Sequence, residues 1–134
     1  MRFELQRVRY IPAALLPGIL YVSEEFKIAV HLCACGCGSK IRTPLGPTEW
    51  TVRETMRGPT LSPSIGNWQE ACRSHYWIRN GEIEWAGKWT PEQIAAGWLN
   101  EQERARVYFE IRANERKGLF RRLWQRVRQV FVRE

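Results

Sequence analysis

Four cysteines constrain this chain more than any other feature. Cys33, Cys35 and Cys37 alternate in HLCACGCGSK (residues 31–40), and Cys72 follows much later in CRSHY. Two disulfides are arithmetically possible, but alternating cysteines are poor geometry for them. The N-terminus MRFELQRVRY has no long apolar run of the signal-peptide kind. A cytoplasmic, reducing location is therefore expected, and metal binding is preferred over disulfides. Thiolates suit a tetrahedral zinc site. Cys35, Cys37, Cys72 and His75 form the preferred set, since Cys72-Arg73-Ser74-His75 has the usual two-residue gap. In the rival set Cys33 replaces His75 or one cysteine of the 35–37 knuckle. A straight strand advances about 6.6 Å per two residues, so the backbone must curl for neighbouring ligands to meet, and Gly36 and Gly38 permit that. Four protein ligands would make the zinc structural, whereas an open position would leave room for a reactive water.

The 134 residues suit one domain. RFELQRVRYI, GILYVS, FKIAVHL, KIRT and EWTVRET read as strands, rich in branched or alternating apolar residues. GPTLSPSIGNW reads as a loop, because Pro59, Pro63 and Gly66 interrupt it. HYWIRNGEIEW carries Asn80-Gly81 between alternating runs, the signal of a type I′ hairpin. That turn predicts the pairs Arg79 with Glu82, Ile78 with Ile83, Trp77 with Glu84, and Tyr76 with Trp85. Thr90-Pro91-Glu92-Gln93 is a capping box with proline at the first helical position. A short helix to Ala96, a second over 100–114 and an amphipathic segment beyond Gly118 are expected. The fold class is thus α+β: a small, mainly antiparallel β body with a zinc-stabilised loop region, followed by C-terminal helices. Residues 1–89 are the β-rich body, and 90–134 are the helical part of the same domain.

Net charge is +7, from 21 basic and 14 acidic residues. Residues 115–134 contain seven basic and two acidic residues, giving +5 and leaving the remainder nearly balanced. This is a charged tail rather than a nucleic-acid-binding surface, and no reader motif is present, so a nucleic-acid partner is disfavoured. The basic residues of 116–133 alternate with an apolar stripe. That pattern fits a solvated face, an acidic partner or an anionic membrane surface.

Ser62 and Ser64 sit in PTLSPSIGNW, and the chain's two imidazoles are His31 and His75. If cysteines alone hold the metal, His75 is free to act as a general base for a serine nucleophile. Gly66 and Asn67 could then stabilise an oxyanion, and Glu54, Glu70 or Glu84 could orient the imidazole. The competing readings make the serines turn residues and place His31 beside the metal as a supporting group.

The ordered segments HLCACGCGSKIRTPL, EWTV, PTLSPSIGNW and CRSHYWIRNGEIEWA resemble the DUF6527 family over roughly residues 18–87. These are small bacterial domains found beside ubiquitin-like proteins and E1-like and E2-like components. The resemblance implies metal binding through the positions of His31, Cys33, Cys35, Cys37, Cys72 and His75, and a serine-type peptidase role involving Ser62 or Ser64. It makes a ubiquitin-like protein the expected substrate, with E1-like or E2-like enzymes as further partners. The alternative is a non-catalytic, zinc-stabilised adaptor of the same conjugation system.

Overall fold

The computed structural model describes residues 1–131, with side chains to Val130. It contains eight strands and one helix: β1 (Glu4–Arg7), β2 (Ile19–Ser23), β3 (Ile28–Leu32), β4 (Lys40–Pro44), β5 (Thr51–Thr55), β6 (Gly58–Gly66), β7 (His75–Arg79), β8 (Glu82–Trp85) and α1 (Pro91–Phe131). The α+β class follows. Two sheets run in the orders β1-β2-β3-β4 and β5-β6-β7-β8. Neighbouring strands are antiparallel, except that β1 lies parallel to β2.

Both sheets contribute to one apolar core. Phe3, Leu20, Val22, Ala29 and Ile41 come from the first sheet or its leading residue, and Leu61, Ile65, Tyr76 and Ile78 from the second. Fully burying each Leu or Ile side chain stabilises the fold by about 1.5–3 kcal/mol. The sheets are also tied through the backbone, where the Phe3 N–H donates to the Gly81 carbonyl at 2.6 Å.

The β7–β8 hairpin has the four pairs that Asn80-Gly81 predicts. Asn80 and Gly81 both lie at positive φ, 50° and 80°, as a type I′ turn requires. A side chain at Gly81 would also collide with the Phe3 carbonyl oxygen, 2.9 Å from the ideal Cβ position. On the hairpin face that carries Tyr76, Ile78, Ile83 and Trp85, Tyr76 and Ile78 are buried but Trp85 is exposed.

The expected loop over 58–68 is mostly strand. β6 occupies Gly58–Gly66 between β5 and β7. Pro59 stands opposite Glu54 in the β5–β6 ladder, and Pro63 falls in an irregularity: four steps along β6, from Leu61 to Ile65, match two along β7, from Ile78 to Tyr76. A bulge places Pro63 where no ladder N–H is needed. Leu61 and Ile65 remain buried on either side.

The expected series of helices is one continuous helix. Its capping box forms, with Gln93 N–H donating to Thr90 Oγ1 at 3.3 Å and Thr90 N–H to Gln93 Oε1 at 2.8 Å. Gly97 and Gly118 each weaken a helix by about 1 kcal/mol relative to alanine, yet neither ends it. Strong helix formers surround them, and Arg106 bridges Glu103 and Glu110 at 2.6 Å each. The chain divides into two compact units, residues 1–94 and 95–134. Among the described residues, no helix is long and apolar enough to cross a membrane. Arg133 of the basic tail lies outside the described residues.

Candidate active site and cysteine cage

β3 ends at Leu32, and the chain then turns sharply. Cys33 N–H donates to the Ser39 carbonyl at 2.9 Å, while its own carbonyl accepts from Gly36 N–H at 3.1 Å. Gly36 and Gly38 lie at φ 86° and 83°, a conformation that costs glycine little. This curl replaces strand spacing, so Cys33, Cys35 and Cys37 all point into one cluster. Cys72 joins them, and the four sulfurs lie within 4.8 Å of one another. The Cys33–Cys35 and Cys33–Cys72 Sγ separations are 3.4 and 3.9 Å. None of the four is in a disulfide. The cluster can chelate a metal ion.

Neighbouring polar groups support the sulfurs. Asn67 Nδ2 donates to Cys33 Sγ at 3.5 Å and to Ser74 Oγ at 2.8 Å. Ser74 Oγ lies 3.1 Å from Cys33 Sγ and 3.4 Å from Cys72 Sγ. The Ser39 hydroxyl and backbone N–H hold the Cys37 thiol down at about 6. Desolvation, with the adjoining thiols, pushes Cys35 up to about 12. Crowded thiols resist ionising together, and a bound cation removes that conflict.

The preferred ligand set from the sequence needs correction at one position: Cys33 stands with Cys35, Cys37 and Cys72, and His75 does not. The glycine curl carries Cys33 into the cluster. His75 opens β7 and turns its ring elsewhere. Nε2 lies 3.0 Å from Ser64 Oγ, and Nδ1 lies 3.2 Å from the Gly87 carbonyl oxygen. A carbonyl only accepts, so Nδ1 carries the proton and Nε2 presents its lone pair to the serine hydroxyl.

The local fold explains this meeting. Gly66 pairs with His75 across the ladder, so their Cα substituents share a face, and Ser64 lies two residues before Gly66 on that face. The missing side chain at Gly66 leaves space that Trp68 fills. A Cβ there would collide with the Trp68 indole at Nε1. Trp68, Trp77 and Trp89 surround the imidazole, with ring centroids 4.9, 5.5 and 5.0 Å away. Trp68 and Trp89 stack on each other at 5.6 Å. Trp50 Nε1 donates to the Ser64 carbonyl at 3.3 Å, steadying the backbone at that residue.

The other candidates are placed differently. Ser62 is exposed on β6 opposite Thr51. His31 is fully buried, with Nε2 2.9 Å from the Tyr76 hydroxyl and its ring edge-on to Phe3. Burial lowers His31 to about 4, so it is neutral near pH 7. Among the described residues its Nδ1 has no hydrogen-bond partner. Desolvation pushes the Tyr76 phenol upward, so it keeps its proton. Asn67 is committed to the cysteine cage rather than to the serine. Glu70 accepts from Ser39 at 2.8 Å, Glu84 pairs with Arg79 at 2.8 Å, and Glu54 lies 3.7 Å from Arg7. The Gly87 carbonyl, rather than any of these carboxylates, orients His75. The hairpin register could have located it: Ala86 N–H donates to the His75 carbonyl, continuing the Tyr76–Trp85 ladder to the residue beside Gly87.

A family model described as "Bacterial ubiquitination-like system serine protease (BubE)" matches residues 7–86. This corrects the assignment to DUF6527: the family matched is BubE. The match makes the chain a peptidase-type hydrolase tied to a ubiquitin-like system and removes the non-catalytic adaptor as the leading alternative. No curated protein and no solved structure matches the chain.

Proposed function

The chain belongs to the bacterial ubiquitination-like system serine protease family (BubE), and we propose that Ser64 is its nucleophile and His75 its general base. The carrying observation is the 3.0 Å Ser64–His75 contact, together with the Gly87 carbonyl on the opposite ring nitrogen. His75 Nε2 takes the Ser64 proton as Oγ attacks the substrate carbonyl carbon. The imidazolium then returns that proton to the leaving amine or alcohol as the scissile bond breaks. A water repeats the sequence on the acyl-serine, giving the carboxylic acid and restoring the hydroxyl. Gly87 acts as the third member, holding the tautomer and stabilising the charged ring with a carbonyl dipole. The three tryptophans limit water around the imidazole.

The metal in this reading is zinc, held by Cys33, Cys35, Cys37 and Cys72. A tetrahedral site with Zn–S bonds of ~2.3 Å has sulfur–sulfur edges of about 3.8 Å, close to the separations found. Held by these four thiolates, zinc would serve as a closed structural anchor rather than as a source of reactive water. The cage ties the β3–β4 turn to residues 67–74, immediately before His75, so it fixes the start of β7. The substrate is the C-terminal tail of a ubiquitin-like protein, released from a peptide, isopeptide or ester bond. The proteins with which it works include E1-like or E2-like enzymes of the same system, and the setting is cytoplasmic. Residues 1–89 and the helical part from residue 90 form one domain in this reading.

The test is cleavage of a ubiquitin-like protein extended at its C-terminus. The wild-type chain releases the extension, whereas the Ser64→Ala and His75→Ala variants do not. Cleavage that survives Ser64→Ala but stops with Ser62→Ala would reassign the nucleophile.

A further inference from the structure

Charge is segregated along α1. Between residues 92 and 115 acidic side chains (Glu92, Glu101, Glu103, Glu110 and Glu115) accompany Arg104, Arg106 and Arg112. Arg106 is already paired with two of those carboxylates. Between 116 and 130 there is no acidic residue, while Arg116, Lys117, Arg121, Arg122, Arg126 and Arg128 are basic.

The apolar residues of this second stretch occupy one face. At 3.6 residues per turn, Leu119, Phe120, Leu123, Trp124, Val127 and Val130 fall within an arc of about 140°. Their exposures range from 42% to 71%, so the face is open. Lys117, Arg121 and Arg128 border one side of the arc, and Arg122 and Arg126 border the other. Gln125 and Gln129 occupy the opposite side of the helix.

From this arrangement we infer that residues 117–130 dock in the plane of an anionic lipid surface. The apolar arc enters the acyl boundary, and the bordering arginines meet lipid phosphates and carboxylates. Charge complementarity selects this occupant over a second copy of the chain. Pairing two such faces brings arginine rows against arginine rows, with no carboxylate in 116–130 to neutralise them. The helix is too polar to cross the bilayer, as in-plane docking requires. This inference is independent of the serine chemistry.

The test is co-sedimentation of the full chain with vesicles of phosphatidylcholine containing about 30% phosphatidylserine, beside pure phosphatidylcholine, at about 0.1 M and about 0.5 M salt. Binding to the anionic vesicles is expected, and it should drop at least tenfold without phosphatidylserine or in high salt. Arg122→Gln with Arg126→Gln should lower partitioning about thirtyfold, from about fivefold per basic residue. Leu123→Glu with Val127→Glu should abolish it while leaving peptide cleavage in solution unchanged. Equal binding to both vesicle types, or none to the anionic ones, overturns the inference. So does a dimer that the Leu123→Glu, Val127→Glu variant dissolves and that anionic vesicles fail to compete away. Capture by poly-glutamate that this variant retains, without vesicle binding by the wild type, overturns it in favour of an acidic protein partner.

Discussion

The chain's two imidazoles are almost equally hidden, His31 at 0% and His75 at 4% exposure, yet their surroundings fit them for different work. His31 lies in the core against Phe3 and reaches only a phenol that burial keeps protonated. His75 lies at the start of a strand, beside a β-bulge, between a hydroxyl and a carbonyl. Its two partners fix a tautomer and leave a lone pair directed at an alcohol. Burial alone therefore does not separate the two histidines. The nature of the group on each ring nitrogen distinguishes the two regions.

The sharpest way to break this comparison is to remove the serine or histidine of the second region. Ser64→Ala and His75→Ala should each lower kcat/KM by about 10⁴-fold, with Tm nearly unchanged for the serine variant. Combining them should cost little more than either alone, because the two act as a unit. Additive losses in the double variant would separate their roles.

Metal removal should reach the His75 region through its anchor. Chelation, or Cys72→Ser, should abolish most activity and shift the emission of the tryptophans around His75, as residues 67–74 lose their tie to the β3–β4 turn. Full activity in a demonstrably metal-free chain would detach the cage from the serine site.

Acidification tests the His31 region. A group held at about 4 in the fold, from an ordinary 6.5, binds fewer protons there than in the unfolded chain. Its stabilising contribution is fully present above pH 6.5 and is lost as the pH falls from 6.5 towards 4. The loss amounts to about 3 kcal/mol. Urea denaturation across that window should show the decline, and His31→Phe should flatten it. The same variant should cost roughly 1–3 kcal/mol by removing the partner of Tyr76, while kcat/KM of the folded protein stays within about threefold. A larger catalytic loss would give His31 a part in the chemistry.

The smallest effect is expected at the aromatic wall. Trp89→Ala should lower kcat/KM by about tenfold, equivalent to about 1.4 kcal/mol, through looser placement of the imidazole. Since Trp89 stacks on Trp68, Gly66→Ala should act in the same direction by displacing the Trp68 ring.

The sequence carries these features unequally. Asn80-Gly81 specifies a local turn, and a turn determines register, so the hairpin was legible pair by pair. β6 was not, because Pro59 and Pro63 signal interruption, whereas the strand keeps Pro59 in its ladder with β5 and takes up Pro63 at its bulge. The continuity of α1 was hidden for a related reason: single glycines look decisive, whereas a helix responds to the summed preference of its surroundings. The cysteines announced a shared cluster, but Cys72-x-x-His75 spacing fits both a metal ligand and a neighbouring base. Only the direction of the ring distinguishes them. Gly87 acts through its main-chain carbonyl, which every residue possesses, so its type carries no signal.

The pairing of Ser64 with His75 is tested most directly by covalent labelling with a fluorophosphonate, mapped by peptide mass spectrometry. The account predicts a label on Ser64 that disappears in His75→Ala and persists in His31→Phe. A label on Ser62, or one on Ser64 that forms equally well without His75, would contradict it.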